Sequence, residues 1–137
     1  MKPKLKALTK LAKLLRENAD NPHGMMFDLD CVLTHRNSNK FAMDCGTVGC
    51  AIGLAAVSGQ FKGLTHNQVG TPHYKSYDGM RAGRMYFGLD LGQANRLFYS
   101  GAYRNLPTVR GADAERAVAK RILAFVRREE KKQHDNA

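Results

Sequence analysis

The sequence predicts a mainly α-helical fold, in one compact domain around a central helix of small residues. Three observations lead to this prediction. The run from Asp44 to Val57 carries no charge after Asp44 and is dense in glycine and alanine. Apolar residues recur at helical spacing in residues 3–18 and again in residues 112–130. A chain of 137 residues with 43% hydrophobic content can bury one core, but it is too short for two ordinary domains.

The first helix is predicted over residues 3–18, with Pro3 tolerated in its first turn. Lysines cover the faces that the leucines leave, so this helix is amphipathic and basic. Three roles fit this helix: it can be a core helix with a solvated lysine face, it can face nucleic acid, or it can lie on a membrane surface. The core role is favoured, and the membrane role is least favoured because the apolar face lacks tryptophan and phenylalanine. That face comprises Leu5, Leu8, Leu11, Ala12 and Leu15.

The central helix is predicted over residues 47–58. Thr47 is expected to be its N-cap, and Gly59 is expected to end it. Its β-branched residues favour a strand, but its alanines and its length favour a helix. Small side chains along it would let neighbouring elements approach closely. Residues 25–43, before this helix, are expected to be extended and to have room for a short β-hairpin.

The second half of the chain predicts two more helices after a glycine-rich segment. Residues 58–88 are expected to be irregular, with a short helix near 76–87. A helix over 89–99 is expected to be capped by Asp90. The last helix, over 112–130, is the clearest, and Asp113 is its expected N-cap. At the ends of the single domain 1–137, residues 1–2 and 131–137 are predicted to fray.

A resemblance to a known group of proteins is carried by the central run. The string C-G-T-V-G-C-A-I-G-L-A at residues 45–55 resembles the C-G-T-x-x-C-x-x-G-x-A signature of small uncharacterised phage and bacterial proteins. Their upstream and downstream segments are similar to Phe27-Asp28-Leu29 and to the G-L-x-x-x-Q-A-x-x-L-F form of residues 88–98. The similarity spans roughly residues 27–126, and Leu54 departs from it where a larger aromatic is expected. The resemblance implies a compact domain and a mobile-element origin, and it supplies no catalytic residue.

Charge and cysteine content limit the classes of function that the sequence supports. The chain has 22 Lys and Arg against 12 Asp and Glu, and its net charge of +10 predicts attraction to polyanions or to acidic protein surfaces. Simple solubility is the alternative reason for such an excess. The chain has three cysteines, which is an odd number and too few for a secreted disulfide scaffold. No apolar run is long enough to span a bilayer, so a cytoplasmic protein is expected, without a membrane partner.

The preferred function is that of a small basic accessory protein that binds nucleic acid or an acidic host protein. Arginines and lysines neutralise phosphates, and the tyrosines interleaved with them in residues 75–86 can stack on unpaired bases. No sequence motif of a known nucleic-acid-binding module supports this prediction, which rests on charge. The candidate contacts are Lys4, Lys6, Lys10, Lys13, Lys75, Arg81, Arg84, Arg121, Arg127 and Arg128, with Arg116 and Lys120 in the same cluster of the last helix.

The enzymatic alternative is a papain-like cysteine hydrolase. Cys45 would lie just before a helix N-terminus, where the helix dipole lowers a thiol pKa, and His73 would be the base. No apolar strand is evident around His73 and no third residue is evident after it, so the expected state of Cys45 is a buried structural thiol. Whether the chain is an enzyme is therefore left open.

A structural zinc site is the remaining alternative. Its Cys3His ligand set would be Cys31, His35, Cys45 and Cys50. Their spacing lacks a C-x2-C knuckle, so separate core thiols are the favoured interpretation. The sequence also lacks nucleotide-binding glycine motifs, and no cofactor is predicted.

Overall fold

The computed structural model describes residues 2–22, 26–29, 48–67 and 71–135, and it confirms a mainly α-helical fold. Within these residues a 3-10 turn, Ser100–Ala102, lies between the last two helices. The helices are α1 Leu5–Asp20, α2 Ala51–Ser58, α3 Gly79–Phe87, α4 Leu91–Phe98 and α5 Ala112–Asp135. The strands are β1 Met26–Phe27, β2 Val48–Gly49, β3 Thr65–His66, β4 Pro72–Tyr74 and β5 Tyr77–Asp78.

The strands form two small sheets. Strand β1 pairs in parallel with β2, and Met26 lies opposite Val48. The other sheet is antiparallel, in the order β3-β4-β5. This sheet is the short β structure that the fold class allowed, but it lies in the segment predicted to be irregular. A two-residue connection at Lys75, which adopts a left-handed φ of 54°, turns β4 back into β5. Only 26–29 of the expected hairpin region 25–43 is described.

Helices α1 and α5 make the most extensive contact between two elements of the described structure. The predicted leucine stripe of α1 is buried except for the partly buried Leu5, and it packs in the same core as Val118 and Ile122 of α5. Burial of each such aliphatic side chain contributes about 1.5–3 kcal/mol. Helix α1 begins and ends two residues later than predicted, and the backbone N–H of Lys4, which precedes it, donates to Phe87 O at 2.8 Å.

Helix α2 is the central small-residue helix, and its residues 51–56 are all buried. It begins at Ala51, not at 47, because the preceding Val48–Gly49 is extended and paired with β1. Its N-cap is Cys50, whose Sγ accepts the N–H of Gly53 at 3.5 Å, so the prediction of a cap at residue 47 is wrong. Gly59 ends the helix at a φ of 71°, as predicted.

Close approach between α2 and its neighbour depends on a glycine of α3. A Cβ added to Gly83 would lie less than 3.0 Å from three carbon atoms of Ile52. Within α2 itself, a Cβ on Gly53 would meet only Cys50 Sγ, at an ordinary 3.9 Å. The small residue that the packing requires is therefore on the partner helix.

The caps of the last two helices differ in how well the sequence predicts them. Asp90 caps α4 as predicted, and it forms a reciprocal capping box with Gln93. Helix α5 begins at Ala112, so Asp113 lies in its first turn and is not the N-cap. The helix continues to Asp135, and the fraying expected from residue 131 stays a prediction. The Lys132 to Glu129 ion pair at 3.0 Å supports that final part.

Candidate nucleic-acid interface

A cleft of about 750 Å³ opens between α4, the 3-10 turn and α5. Helix α4 supplies one wall, α5 supplies the other, and the connection between them closes one end. Five of the side chains that line it are basic, and none is acidic. The basic residues are Arg96, Arg104, Lys120, Arg121 and Arg128.

Arg121 is the most firmly held of these residues. Its Nη1 donates to the backbone oxygens of Arg96 at 3.0 Å and Ala102 at 2.7 Å. Its guanidinium carbon lies 3.7 Å from the centre of the Tyr103 ring, a short cation–π distance. The Tyr103 hydroxyl in turn donates to Leu97 O at 2.6 Å. Burial raises the pKa of Tyr103, and the nearby charge of Arg121 opposes that rise only in part, so the phenol stays a neutral donor.

Helical spacing explains how α5 presents its charges to the cleft. Lys120, Ala124 and Arg128 are four residues apart, and such residues stack along one face of a helix. In the part of the chain that the structure describes, none of the five cleft cations forms an ion pair with a carboxylate. The carboxylates of the described residues therefore leave the positive charge of the cleft unpaired.

The N-terminal end of α5 is different, because its arginine is paired. Arg116 Nη2 donates to Asp20 Oδ1 at 2.8 Å, and its Nη1 lies 3.4 Å from Asp113 Oδ1. The hydrogen bond to Asp20 is the main reason why the pKa of Arg116 is raised. Arg116 thus connects α5 to the end of α1, and its charge is not available in the way that the sequence cluster suggested.

Next to Arg116, Glu115 is buried against α1. Both of its carboxylate oxygens accept N–H groups from the Asn18 side chain, at 2.8 and 3.1 Å. Burial raises the pKa of Glu115 to about 7, although the hydrogen bonds from Asn18 and the charge of Arg116 lower it. In α5, Glu115 is an acidic residue of the first turn, a position where glutamate is usually exposed. Only the packing of α1 against α5 shows that the Glu115 side chain is buried.

The predicted lysines of α1 lie outside this cleft. Lys4 Nζ is 4.9 Å from the centre of the Tyr86 ring and 5.8 Å from that of Tyr74. Lys10 Nζ donates to Gln60 O at 2.6 Å and lies over the Phe61 ring. These two lysines are engaged by the chain itself, whereas Lys6 and Lys13 are exposed.

The basic residues predicted around the small sheet form a separate group. Lys75 Nζ is 5.2 Å from the Tyr74 ring centre, and Arg81 is 5.1 Å from that of Tyr77. Arg84 is half-buried on α3. The tyrosines are thus already in contact with cations of the chain. Of the predicted contacts, only Lys75, Arg81 and Arg84 belong to this group.

Of the ten predicted contact residues, the structure places Arg121 and Arg128 in the cleft. Arg127, their neighbour on α5, is exposed and does not line it. Arg96 and Arg104 line it but were not predicted. A usable signal was present, because a short connection between two predicted helices places its own residues beside both of them.

The histidine of the enzymatic alternative has a partner. His73 lies on the short strand β4, which the sequence did not predict, and its Nδ1 is 2.7 Å from Asp78 Oδ1. The two residues are opposite each other in the β4 to β5 register, which explains the contact. Their side chains are 46% and 67% exposed. Cys45 lies outside the described residues, so its distance from His73 is not defined.

The proposed zinc ligands are mostly outside the described residues too. These are Cys31, His35 and Cys45, while Cys50 is buried at the start of α2. Among residues 2–22, 26–29, 48–67 and 71–135, no group of three or more His, Cys, Asp or Glu side chains is placed to hold a metal ion. In these same ranges, no helix combines the length and the apolar character needed to cross a membrane.

Comparisons with known proteins add no relative. No protein-family model matches the chain, and no significant match is found among curated proteins or among solved structures.

Proposed function

We propose that this chain is a small basic accessory protein that binds nucleic acid through the cleft between α4 and α5, without catalysing a reaction. The observation that carries the proposal is the set of five cleft cations with no carboxylate partner in the described structure. The resemblance of residues 45–55 to small phage proteins supports a mobile-element origin, and the protein would act in the cytoplasm.

The cations of the cleft suit the phosphates of nucleic acid, because four of the five are arginines. A guanidinium is a planar fork of donors that matches two phosphate oxygens, whereas a lysine is a point charge. Arg121 adds preorganisation, since its contacts with two carbonyls and Tyr103 hold it in place before any ligand arrives. An acidic protein surface would be attracted by the same charge, and it is the alternative partner.

The test is binding of a labelled single-stranded DNA oligonucleotide over a series of salt concentrations. Arg128→Gln and Arg127→Gln form a matched pair, because both remove one charge from adjacent positions of α5 and only Arg128 lines the cleft. We expect Arg128→Gln to weaken binding and to lower the slope of log affinity against log salt by about 0.7. Arg127→Gln should change both quantities much less.

Equal effects of the two substitutions would show that total charge, and not the cleft, governs binding. An absence of binding at low salt would reject nucleic acid as the partner. Retention of a host protein by the wild type, and its loss in Arg128→Gln, would then favour the acidic protein.

A cysteine hydrolase is a second candidate, supported by the contact of His73 with Asp78. A carboxylate beside Nδ1 orients an imidazole so that its other nitrogen can act as a base, the role that a third residue has in catalytic triads. Cys45 would be the nucleophile. We expect rapid alkylation of Cys45 in the folded protein if this function is present, and slower alkylation in Asp78→Asn. An unreactive Cys45 excludes it.

A further inference from the structure

We infer that the cleft between α4 and α5 holds an unstacked base of a single strand, while the cleft cations contact the phosphates on either side of it. This inference rests on the proposed function, and it specifies the class of nucleic acid. It predicts a preference for single strands over duplexes that positive charge by itself does not provide.

Apart from Asn105, the lining of the cleft between its charges is made of apolar and aromatic residues. Leu97, Tyr103 and Phe125 are buried beneath it, with at most 6% of each residue exposed. Above them, half-buried small or aliphatic side chains form an accessible floor, made of Ala102, Leu106, Ala117 and Ala124. A purely phosphate-binding surface does not need such a floor, whereas the flat apolar face of a base gains from being covered by it.

The alanines create the space that a base would use. Ala117 and Ala124 are seven residues apart, two turns along the same face of α5, and both line the cleft. A larger side chain at either position would fill the volume that these alanines leave open. The cleft volume of about 750 Å³ lies within the range of about 300–1,000 Å³ that is typical of sites for small organic ligands.

The geometry of nucleic acids then selects the single strand. In a duplex the bases are stacked and paired inside, so a concave cleft on this protein would reach only phosphates and sugars. In a single strand a base can turn out of the stack and enter the cleft at a much lower cost. Arg121 is well suited to such a base, because guanidinium planes are a common stacking surface for unpaired bases.

The experiment compares three probes that carry equal numbers of phosphates in a strand. These are a mixed-sequence single-stranded DNA oligonucleotide, the same oligonucleotide with abasic sites throughout its centre, and a duplex of the same length. We expect the intact single strand to bind at least about 5-fold more tightly than the abasic strand, since stacking of one base contributes about 1–3 kcal/mol. The duplex should resemble the abasic strand at equal phosphate concentration.

The decisive variant is Ala124→Leu, which fills the floor and leaves every charge in place. Leucine and alanine are both strong helix formers, so α5 should keep its structure, and the thermal unfolding midpoint checks this. We expect Ala124→Leu to lower the affinity for the intact strand to the level of the abasic strand, with no change for the abasic strand. Ala124→Ser, which hardly changes the volume, is the matched control and should retain the preference.

The outcomes separate the inference from the proposed function. Equal affinity for intact and abasic strands overturns base insertion, while binding that weakens with salt retains the basic cleft as a phosphate-binding surface. Unchanged preference in a folded Ala124→Leu protein also overturns the inference, because the base must then bind elsewhere. If none of the three probes binds at low salt, both the inference and the nucleic-acid function are rejected.

Discussion

The two ends of helix α5 both carry basic residues, but these residues have different partners. Near its start, Arg116 pairs with Asp20 and Asp113, and Glu115 is buried against Asn18. Further along, Lys120 and Arg128 line the cleft with no carboxylate partner in the described residues. The first end joins α5 to α1, and the second lines the cleft with positive charge. Charge in the sequence therefore does not indicate function until its partners are known.

This comparison predicts that substitutions at the two ends will separate stability from binding. Changes at the start of α5 should alter the free energy of unfolding and leave ligand affinity alone. Changes in the cleft should alter ligand affinity and leave the free energy of unfolding alone.

Asn18→Leu should have the largest effect. It removes the side-chain donors to the buried carboxylate of Glu115, which would be left without those two hydrogen bonds. The expected loss in the free energy of unfolding is on the order of 3 kcal/mol near pH 8, measured by urea denaturation. Oligonucleotide affinity at a temperature where the variant is folded should not change.

The control for this prediction is a double-mutant cycle with Glu115→Leu. Replacing both partners removes the buried charge as well as its donor, so the double variant should be more stable than Asn18→Leu by itself. Additive losses would show that the two side chains do not interact.

Glu115→Gln should change how stability depends on pH. Because burial raises the pKa of Glu115 from 4.5 to about 7, the folded protein holds this proton more tightly than the unfolded chain does. The stabilisation is full below the unfolded pKa and is lost as pH rises through the folded pKa. Between these values the wild type should lose on the order of 1–3 kcal/mol.

In Glu115→Gln this decline should disappear, since glutamine does not titrate and still accepts a hydrogen bond from Asn18. Chemical denaturation at several pH values from acid to neutral measures the difference between the two proteins. Parallel curves would contradict a raised pKa of Glu115.

Arg110→Gln should have a smaller effect, because only one partner of its ion pair is buried. Arg110 Nε lies 2.9 Å from Asp28 Oδ2, and the side chains are 70% and 9% exposed. The expected loss of stability is about 1 kcal/mol, measured by denaturation at low salt. Binding to the labelled oligonucleotide should equal that of the wild type, since Arg110 is not in the cleft. A decrease in affinity as large as that of a cleft variant would contradict the division between the two ends.

Arg104→Gln should have the smallest effect on stability and a clear effect on binding. Arg104 is exposed in the connection between α4 and α5, and no ion pair or hydrogen bond of its side chain is seen in the described structure. We expect the free energy of unfolding to stay within about 0.5 kcal/mol. Affinity for single-stranded DNA at low salt should fall several-fold, and fluorescence anisotropy measures that change. Loss of stability with unchanged affinity would contradict the separation of binding residues from stabilising residues.

The sequence was sufficient for features that depend on local pattern. The leucine stripe of α1, the Asp90 cap of α4 and the glycine that ends α2 all follow from spacing or from one residue type. These features depend on interactions within a few residues, so they need no knowledge of the remaining fold.

The features that the sequence did not reveal depend on distant pairs. The parallel pairing of Met26 with Val48 moves the start of α2 to Ala51, and no local signal encodes that contact. Glu115 resembles an exposed first-turn acid until Asn18 of α1 is placed against it. The cleft is also tertiary, because its walls come from two helices and their connection. The antiparallel sheet of residues 65–78 was missed because its strands contain only two or three residues each.

Because Ile52 contacts Gly83, the side-chain volumes that these two distant positions tolerate depend on each other. An alanine at 83 has no room unless residue 52 becomes smaller, so each substitution should be tolerated better in the presence of the other. A pooled library that varies both positions would therefore recover pairs with conserved total volume. In any set of homologous chains the two columns should covary, with bulk at one position excluding bulk at the other.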